Sequence, residues 1–329
     1  MRSRKTLPRL FGLFVVALVS AAPGAALAQS PQLPSWLQSH VGAGEGQIAP
    51  IVLRRARSLY FQKLRAGEIR NPCYFAMDAT RPNELGRGAL GRRFYVICES
   101  RQVFRAIPAG HGGGRDLRGL ADFQNGRVCA KNFGNAENSK LTTGGPYVTR
   151  EIKTSFKGYY PVAARRHTPL YRSFVQFDGE GDTANARERV IGGHAAELLR
   201  NMCRRKAPGD PHADGDGYVA FGNLVFYAGG RSNGCTSWSP EDAGLVIPIM
   251  KDDPTTLYIY PESEDIEAVA RAVKSGRSPE KAGAYWNVFC LKEIHAPKYW
   301  SQGILGPILA RYERDHPPPQ PQPLPLCPR

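Results

Sequence analysis

Seven cysteines are the feature that most constrains this chain, because they follow an N-terminal segment typical of export. In an oxidising compartment cysteines pair into disulfides, which restrict the folds open to the chain. An odd number leaves one thiol over, and such a thiol is either reactive or bonded to another chain. No Cys-x-x-Cys spacing occurs, so zinc and thioredoxin-type sites are poorly supported. The cysteines are Cys73, Cys98, Cys129, Cys203, Cys235, Cys290 and Cys327.

Residues 1–28 have the three parts of a secretory signal peptide. Residues 2–9 are basic, 10–22 are apolar, and 26–28 supply the small residues that a signal peptidase accepts. The apolar run is shorter than the roughly 20 residues that a membrane span needs. We therefore expect cleavage before Gln29 and a protein exported to the periplasm or cell envelope, with no stable membrane anchor.

The exported part carries a surplus of basic residues. Loss of the four basic residues of the signal peptide lowers the formal net charge from +15 to +11. A charge of this size favours anionic partners. The basic residues are scattered in short clusters, without the aromatic-interleaved stripe of a nucleic-acid surface, so nucleic acid is not expected as a partner. A carboxylate-rich cell wall or an anionic membrane surface is the expected counterpart.

The hydrophobic pattern predicts a mainly β chain with added helices. Short β-type runs alternate with Gly-rich turns, without the regular strand–helix alternation of a doubly wound sheet. Apolar residues at helical spacing predict one amphipathic helix that ends near Gly67. A second helix is predicted over 264–274, capped by Ser263 and stopped by Gly276. The predicted strands are 93–97, 102–107, 223–227 and 256–260.

The segment Gly229–Cys235 carries the clearest chemical signal. It follows a strand-like run, so Cys235 should lie at a strand end in a sharp, glycine-permitted turn. Such a turn aligns successive backbone amides, which is the geometry of an oxyanion hole. A cysteine nucleophile also needs a base to take its proton. His194 is the best-placed histidine, because it follows 190–193, which resemble a strand end with small residues.

Several segments together resemble the L,D-transpeptidase catalytic domain (YkuD-type) family, and its murein L,D-transpeptidase subgroup in particular. The similarity runs in consistent order over roughly 94–238 and is loose after Trp238. It implies a β-sandwich-like catalytic domain with disulfides, over 73–312. The remaining divisions would be an N-terminal lead-in and helix over 29–72 and a Pro-rich tail over 313–329, which Cys327 could fasten to the domain. The segments that carry the resemblance are 110–116, 138–147, 177–180, 185–196 and 230–235.

The resemblance implies cysteine acyl-enzyme chemistry on peptidoglycan stem peptides, with no metal or cofactor. Cys235 would be the nucleophile and His194 the base. Ser232 holds the Ser/Thr position of the family motif, and the amides of Asn233, Gly234 and Cys235 would hold the oxyanion. The thiolate would attack the L-centred third residue of a tetrapeptide stem and release D-Ala. The acyl group would then pass to an amine, or to water in an L,D-carboxypeptidase.

The same resemblance suggests residues that orient the base or contact substrate. The carbonyl of Ala195 would orient the imidazole. Arg231 would bind a stem-peptide carboxylate through its planar guanidinium, or form a structural ion pair. His111 would contact substrate or serve the glycine-rich turn around it, and Trp238 would pack in the core or line the cleft near the nucleophile. The motif departs from the family at Asn233, where the family usually has His, and 203–217 resembles an inserted loop.

Two readings from other classes use the same residues. Residues 230–234 fit the serine-esterase pattern G-x-S-x-G, with Ser232 as nucleophile, and 111–114 fit the HGGG oxyanion motif. Asp265 and His295 follow in the required order. An esterase elbow must open directly into a helix, however, and 236–240 make a poor helix start. The third reading is a catalytically silent module that binds the cell wall.

Overall fold

The computed structural model describes residues 32–117, 119–227 and 231–328, and only the backbone of Arg231. The predicted signal peptide and its cleavage site lie outside the described residues. From Gln32 onward the chain forms one compact unit. Among the described helices, none combines the length and apolar character that crossing a membrane requires.

The described residues form a mixed architecture that is mostly sheet, with helices added. The strands are β1 Tyr74–Asp78, β2 Glu84–Gly86, β3 Ala89–Leu90, β4 Arg92–Cys98, β5 Val103–Pro108, β6 His111–Gly112, β7 Asn132–Gly134, β8 Gly145–Ala163, β9 Arg166–Gly179, β10 Gly192–Ala195, β11 Glu197–Lys206, β12 Tyr218–Phe226, β13 Arg231–Ser232, β14 Thr236–Trp238, β15 Thr256–Tyr260 and β16 Lys298–Trp300. The helices are α1 Ser35–Gln38, α2 Pro50–Arg65, α3 Pro240–Met250, α4 Ser263–Lys274, α5 Val288–Ile294 and α6 Gln302–Asp315. The prediction of a mainly β chain with added helices is therefore confirmed, whereas the specific family fold stays a prediction.

One ten-stranded sheet organises the molecule. Its main path runs β14-β10-β9-β8-β15-β1-β4-β5, and the β11–β12 hairpin joins it through β8. Pairing is mixed, with parallel contacts at β1–β15 and β10–β14 and antiparallel contacts at β8–β9 and β4–β5. Such pairing joins residues far apart in sequence, so the sheet brings the 190–196 and 231–238 segments side by side.

Both faces of the central strands are buried, which explains their nearly continuous apolar sequences. In β1, Tyr74 and Ala76 pack into one cluster under α2. The alternating residues Phe75 and Met77 pack into a second cluster, with side chains of α3 and α4. This alternation follows from the two-residue period of a strand. Strands with both faces covered have nearly continuous apolar sequences rather than alternating ones. Their ends are therefore predicted from turn residues and not from hydrophobic periodicity.

The helix predicted after the lead-in is confirmed as α2. Pro50 occupies its first turn, where the missing N–H removes no intrahelical bond. Val52, Ala56 and Leu59 recur at helical spacing and are buried against the sheet. The helix ends before Gly67, whose φ is +72°. Sequence periodicity was sufficient here because the helix lies on one face of the sheet with its other side exposed.

The helix predicted over 264–274 is also present, but the predicted cap is wrong. Ser263 is the first helical residue of α4, and Glu262 is the N-cap. The Glu262 amide donates to Asp265, and the Glu262 side chain accepts in return from the amide of Asp265. This reciprocal pair is a capping box, in which carboxylates replace the Ser/Thr expected from the usual preference. Its C-terminal end before Gly276 agrees with the prediction.

The main sheet curls until strands at its two ends meet. Trp238 of β14 contacts Phe94 of β4, with ring centroids 5.2 Å apart, although these strands are nearly at opposite ends of the strand order. Trp238 also lies over Gly193, where a Cβ would come 2.2 Å from the indole ring. Close packing at Gly193 therefore fixes β10 and β14 against the opposite end of the sheet.

Three disulfides and one free cysteine confirm the arithmetic of the sequence. Cys73–Cys98 links β1 to β4, and Cys129–Cys290 links a long loop to α5. The third bridge joins Cys203 to Cys327, so the Pro-rich tail is fastened to β11. The backbone of Cys327 also donates to Arg204. Cys235 remains the free thiol.

The segment interpreted as an inserted loop is partly sheet. Cys203 lies inside β11, whose pairing with β12 continues to Lys206 opposite Tyr218. Only the connection 207–217 is a loop, and Asp214 holds it by accepting the amides of Asp216 and Tyr218. These bonds are those of a self-capped polar turn. The hairpin was missed because a register shift between Arg200 and Cys203 breaks the alternating pattern.

Candidate active site

The turn that carries Cys235 connects two short strands. β13 pairs with β6 in parallel, and β14 pairs with β10. Between them, the Ser232 hydroxyl accepts the amide of Gly234 at 3.1 Å and donates to the carbonyl of Cys235. Gly234 has φ of +106°, and a Cβ there would meet the Leu141 carbonyl at 2.9 Å. The turn thus needs glycine for both its conformation and its space.

The turn uses two of the predicted catalytic groups for its own bonds. The hydroxyl of Ser232, predicted as part of the catalytic set, closes the turn by one bond given and one accepted. The Gly234 amide, predicted to hold the oxyanion, is bonded to Ser232. Among the described residues the amides of Asn233 and Cys235 have no hydrogen-bond acceptor. They are the donors left for an oxyanion.

The thiol of Cys235 lies half-buried between β14 and the loop before β10. Its Sγ donates to the carbonyl of Val190 at 3.5 Å, and the amide of Gly192 faces the sulfur from the other strand. Burial raises the pKa of the Cys235 thiol, while the Gly192 amide and the charges of Arg172 and Arg189 act to lower it. The thiol is therefore protonated at neutral pH and needs a base to become a nucleophile.

His194 meets the requirements of that base. The strand predicted to end before it instead contains it, because β10 is hydrogen-bonded on both sides, to β9 and β14. The imidazole Nδ1 lies 2.8 Å from the carbonyl of Ala195, which can only accept, so Nδ1 carries the proton. Burial lowers the pKa of His194 to about 4. At neutral pH the ring is uncharged, with Nε2 able to accept a proton.

The register of β10 and β14 relates the base to the thiol. Gly193 is paired with Thr236 and His194 with Ser237, so Cys235 lies beside Gly192. Paired residues of neighbouring strands share a face, and the side chains of alternate residues return to it. Cys235 and His194 therefore project from the same face of the sheet, one pleat apart.

Both side chains line one cleft of about 620 Å³. A volume of this order is typical of a ligand site. Phe174 forms part of the wall and stacks near the His194 imidazole, with ring centroids 6.3 Å apart. The lining residues are Ser155, Lys157, Arg172, Phe174, Arg189, Val190, His194, Leu198, Arg200, Tyr227, Ser232, Asn233 and Cys235.

Two residues predicted to contact substrate lie in the interior instead. His111 is fully buried, with Nδ1 2.8 Å from the guanidinium of Arg93 and Nε2 3.2 Å from the carbonyl of Gly126. Trp238 is 1% exposed and packs on Gly193. Neither residue lines the cleft, so their roles are structural.

The side chain of Arg231, the third predicted substrate contact, lies outside the described part of the structure; its backbone pairs with His111. Among the described side chains, Arg172 of β9 and Arg189 of the loop before β10 line the cleft. Arg189 lies in the segment 185–196, which carries the family resemblance, but the resemblance gives it no role. Arg172 sits in a strand with no motif, and only the β9–β10 pairing brings it to the thiol.

A second cavity, of about 560 Å³, lies between β5 and α3. It is lined mostly by apolar residues, with three basic side chains and the acidic Asp253, and neither Cys235 nor His194 lines it. In the described residues, no group of three or more His, Cys, Asp or Glu side chains is arranged to hold a metal ion. Of these two cavities, only the 620 Å³ cleft is lined by the thiol and the imidazole.

Comparison of the chain with known proteins gives no relative: no family model, no curated protein and no solved structure matches it.

Proposed function

We propose that the protein is an exported cysteine acyltransferase of the L,D-transpeptidase type, acting on peptidoglycan tetrapeptide stems in the periplasm. The observation that carries the proposal is the meeting of Cys235 and His194 in one cleft. The free thiol and an imidazole with its Nδ1 proton fixed are what nucleophilic catalysis requires. The sequence resemblance supplies the reaction class and the substrate.

In the proposed reaction, His194 Nε2 takes the proton of the Cys235 thiol as the sulfur attacks the carbonyl of the third stem residue. Negative charge then develops on that oxygen, toward which the amides of Cys235 and Asn233 would donate. Collapse of this intermediate breaks the peptide bond, and the imidazolium returns the proton to the leaving D-Ala amine. The product is a thioester on Cys235. An amine of a neighbouring stem then attacks it and restores the thiol.

The serine-esterase alternative finds less support. The chain continues from the turn into β14, and α3 begins only at Pro240, so no helix follows Ser232 directly. The Ser232 hydroxyl is bonded within its own turn. Asp265, the acid of that alternative, is paired with Arg55 and does not line the cleft. Inactivation by alkylation of Cys235 distinguishes the two, since an esterase acting through Ser232 would survive it.

Muropeptide analysis tests the proposal. The protein recovered after export is incubated with disaccharide-tetrapeptides, and the products are separated and weighed by mass spectrometry. We expect cross-linked dimers with loss of D-Ala, absent with Cys235→Ala. Trimmed monomers without dimers would assign the enzyme to L,D-carboxypeptidases, with the same pair of residues. Unchanged muropeptides from a folded protein would contradict the proposal and favour a silent wall-binding module.

A further inference from the structure

The cleft around Cys235 is cationic. Four of its lining residues are basic: Lys157, Arg172, Arg189 and Arg200. None of the lining residues in the described part of the chain is acidic. A concave surface of one sign concentrates ions of the opposite sign. The positive charge of the cleft therefore comes from its own lining residues. It does not merely reflect the positive net charge of the whole chain.

The two arginines nearest the thiol are held by neutral atoms. The Arg189 guanidinium donates to the Leu141 carbonyl at 2.8 Å and to the Thr143 hydroxyl. Arg172 donates to the backbone carbonyl of Glu197 at 3.2 Å. Within the described residues, neither forms an ion pair. These bonds fix the orientation of both groups without a carboxylate at ion-pair distance, and their acidic neighbours, Glu197 for Arg172 and Glu137 for Arg189, act only at longer range.

Elsewhere the same chain pairs its arginines with carboxylates. Arg187, two residues from Arg189, bonds to both Glu151 and Asp178. Arg57 bonds to Glu99 under the central sheet. The lack of an acidic partner at the cleft is thus local. A half-buried guanidinium without a counter-charge is stabilised when an anion binds, because a carboxylate supplies two acceptors in the geometry of its fork.

We propose that this cleft is a carboxylate-binding site, in which Arg172 and Arg189 hold an anionic group of the substrate beside the Cys235 thiol. The substrate class is a peptide with a carboxylate near the bond that is cleaved. The peptide part of this statement rests on the proposed function, whereas the anion site rests on the cleft itself. This is the kind of contact that the sequence suggested for Arg231.

Alkylation of Cys235 measures the anion site without any assumption about the reaction. Iodoacetate and iodoacetamide both react by forming a bond from sulfur to the methylene carbon as iodide leaves and the thiol proton passes to solvent. They differ in charge alone, so the ratio of their rates cancels the thiolate fraction. The other six cysteines form disulfides, so alkylation reports on one site. The reference thiol is N-acetylcysteinamide.

At low ionic strength we expect the iodoacetate-to-iodoacetamide ratio for the protein to exceed that of the reference by about fivefold or more, the effect of one close unit charge. Arg172→Gln should remove most of this excess, and about 1 M salt should reduce it by screening. Arg105→Gln is the matched control, because this exposed arginine of β5 lies at the other cavity and its loss changes the net charge equally.

Arg189 anchors its loop, so Arg189→Gln would disturb the turn and is not used. Lys157 is an exposed lining residue, and Lys157→Gln is therefore the second variant, which should also lower the ratio. A ratio equal to that of the reference, or an equal fall with Arg105→Gln, would overturn the anion site. Muropeptide analysis separates the two proposals. A raised iodoacetate-to-iodoacetamide ratio without acyl transfer would support the anion site and contradict the transpeptidase proposal. Acyl transfer with a ratio equal to that of the reference thiol would support the transpeptidase proposal and contradict the anion site.

Discussion

At the scale of single residues, the proposed reaction starts from a neutral thiol and a neutral imidazole rather than from a preformed ion pair. The thiol of Cys235 is bonded to the Val190 carbonyl, and His194 has no proton on Nε2 when Nδ1 donates to Ala195. Burial favours the uncharged form of both groups. In the proposed reaction, the thiol proton must therefore turn away from the Val190 carbonyl and pass from Cys235 Sγ to His194 Nε2, so the pair is activated in the reaction step itself.

The pH dependence of activity follows from the depressed pKa of His194, about 4. The base is competent only when unprotonated, so activity should rise as pH increases through that value and be level from about pH 5 to neutral. An unperturbed histidine would give a midpoint near 6.5. The check is the pH profile of kcat/KM with a tetrapeptide donor. An acid limb centred near 6.5 would show that the imidazole is not desolvated as the fold requires.

Gly234 offers a second test at residue scale. In Gly234→Ala the new Cβ would lie 2.9 Å from the Leu141 carbonyl and 3.0 Å from Ile191, at a φ of +106°. Strain of this kind amounts to about 1–3 kcal/mol and should displace the turn. We expect iodoacetamide to react with Cys235 at a changed rate and acyl transfer to fall at least about tenfold. Gly209→Ala, whose Cβ meets nothing within 4 Å, is the matched control and should match the wild type.

At the scale of elements, sequence reasoning succeeded where the signal is local. The α2 helix and the strands β4, β5 and β15 follow from apolar spacing and from turn residues within each segment. It failed where the pairing of distant strands determines the length of a strand and the face that each residue occupies. The hairpin of β8 and β9 extends far beyond any amphipathic pattern, with register shifts near Thr149, Phe156 and Pro161. Bulges of this kind change which face a residue occupies, and the sequence period does not record them.

The Cys203–Cys327 disulfide joins an edge hairpin to the C-terminal tail across 124 residues of sequence. Replacing both cysteines by serine should lower the free energy of unfolding by about 2–4 kcal/mol, since the unfolded chain gains freedom. Thermal unfolding measures this. Cys235 lies in the turn before β14, outside this hairpin, so its rate of alkylation should be unchanged. Loss of thiol reactivity in the double variant would show that the tail supports the active-site turn.

At the scale of the whole molecule, the site forms because strands far apart in sequence pair side by side. The residues of the motif could be predicted from the sequence, since Cys235 and His194 each lie in short, glycine-marked segments. Their partners could not. Arg172 reaches the cleft only through the pairing of β9 with β10, and Trp238 is withdrawn from it by packing on Gly193. Long-range pairing decides which side chains face a cavity, and a single sequence carries no direct signal of it.

The central claim is that Cys235 forms a thioester with a peptidoglycan stem. The most direct measurement is the intact mass of the protein after brief incubation with a disaccharide-tetrapeptide and acid quenching. We expect the protein mass to increase by the mass of the donor minus that of D-Ala. The adduct should lie on the peptide that contains Cys235 and be absent from Cys235→Ala. An unmodified protein that still releases D-Ala, or an adduct on Ser232, would contradict it.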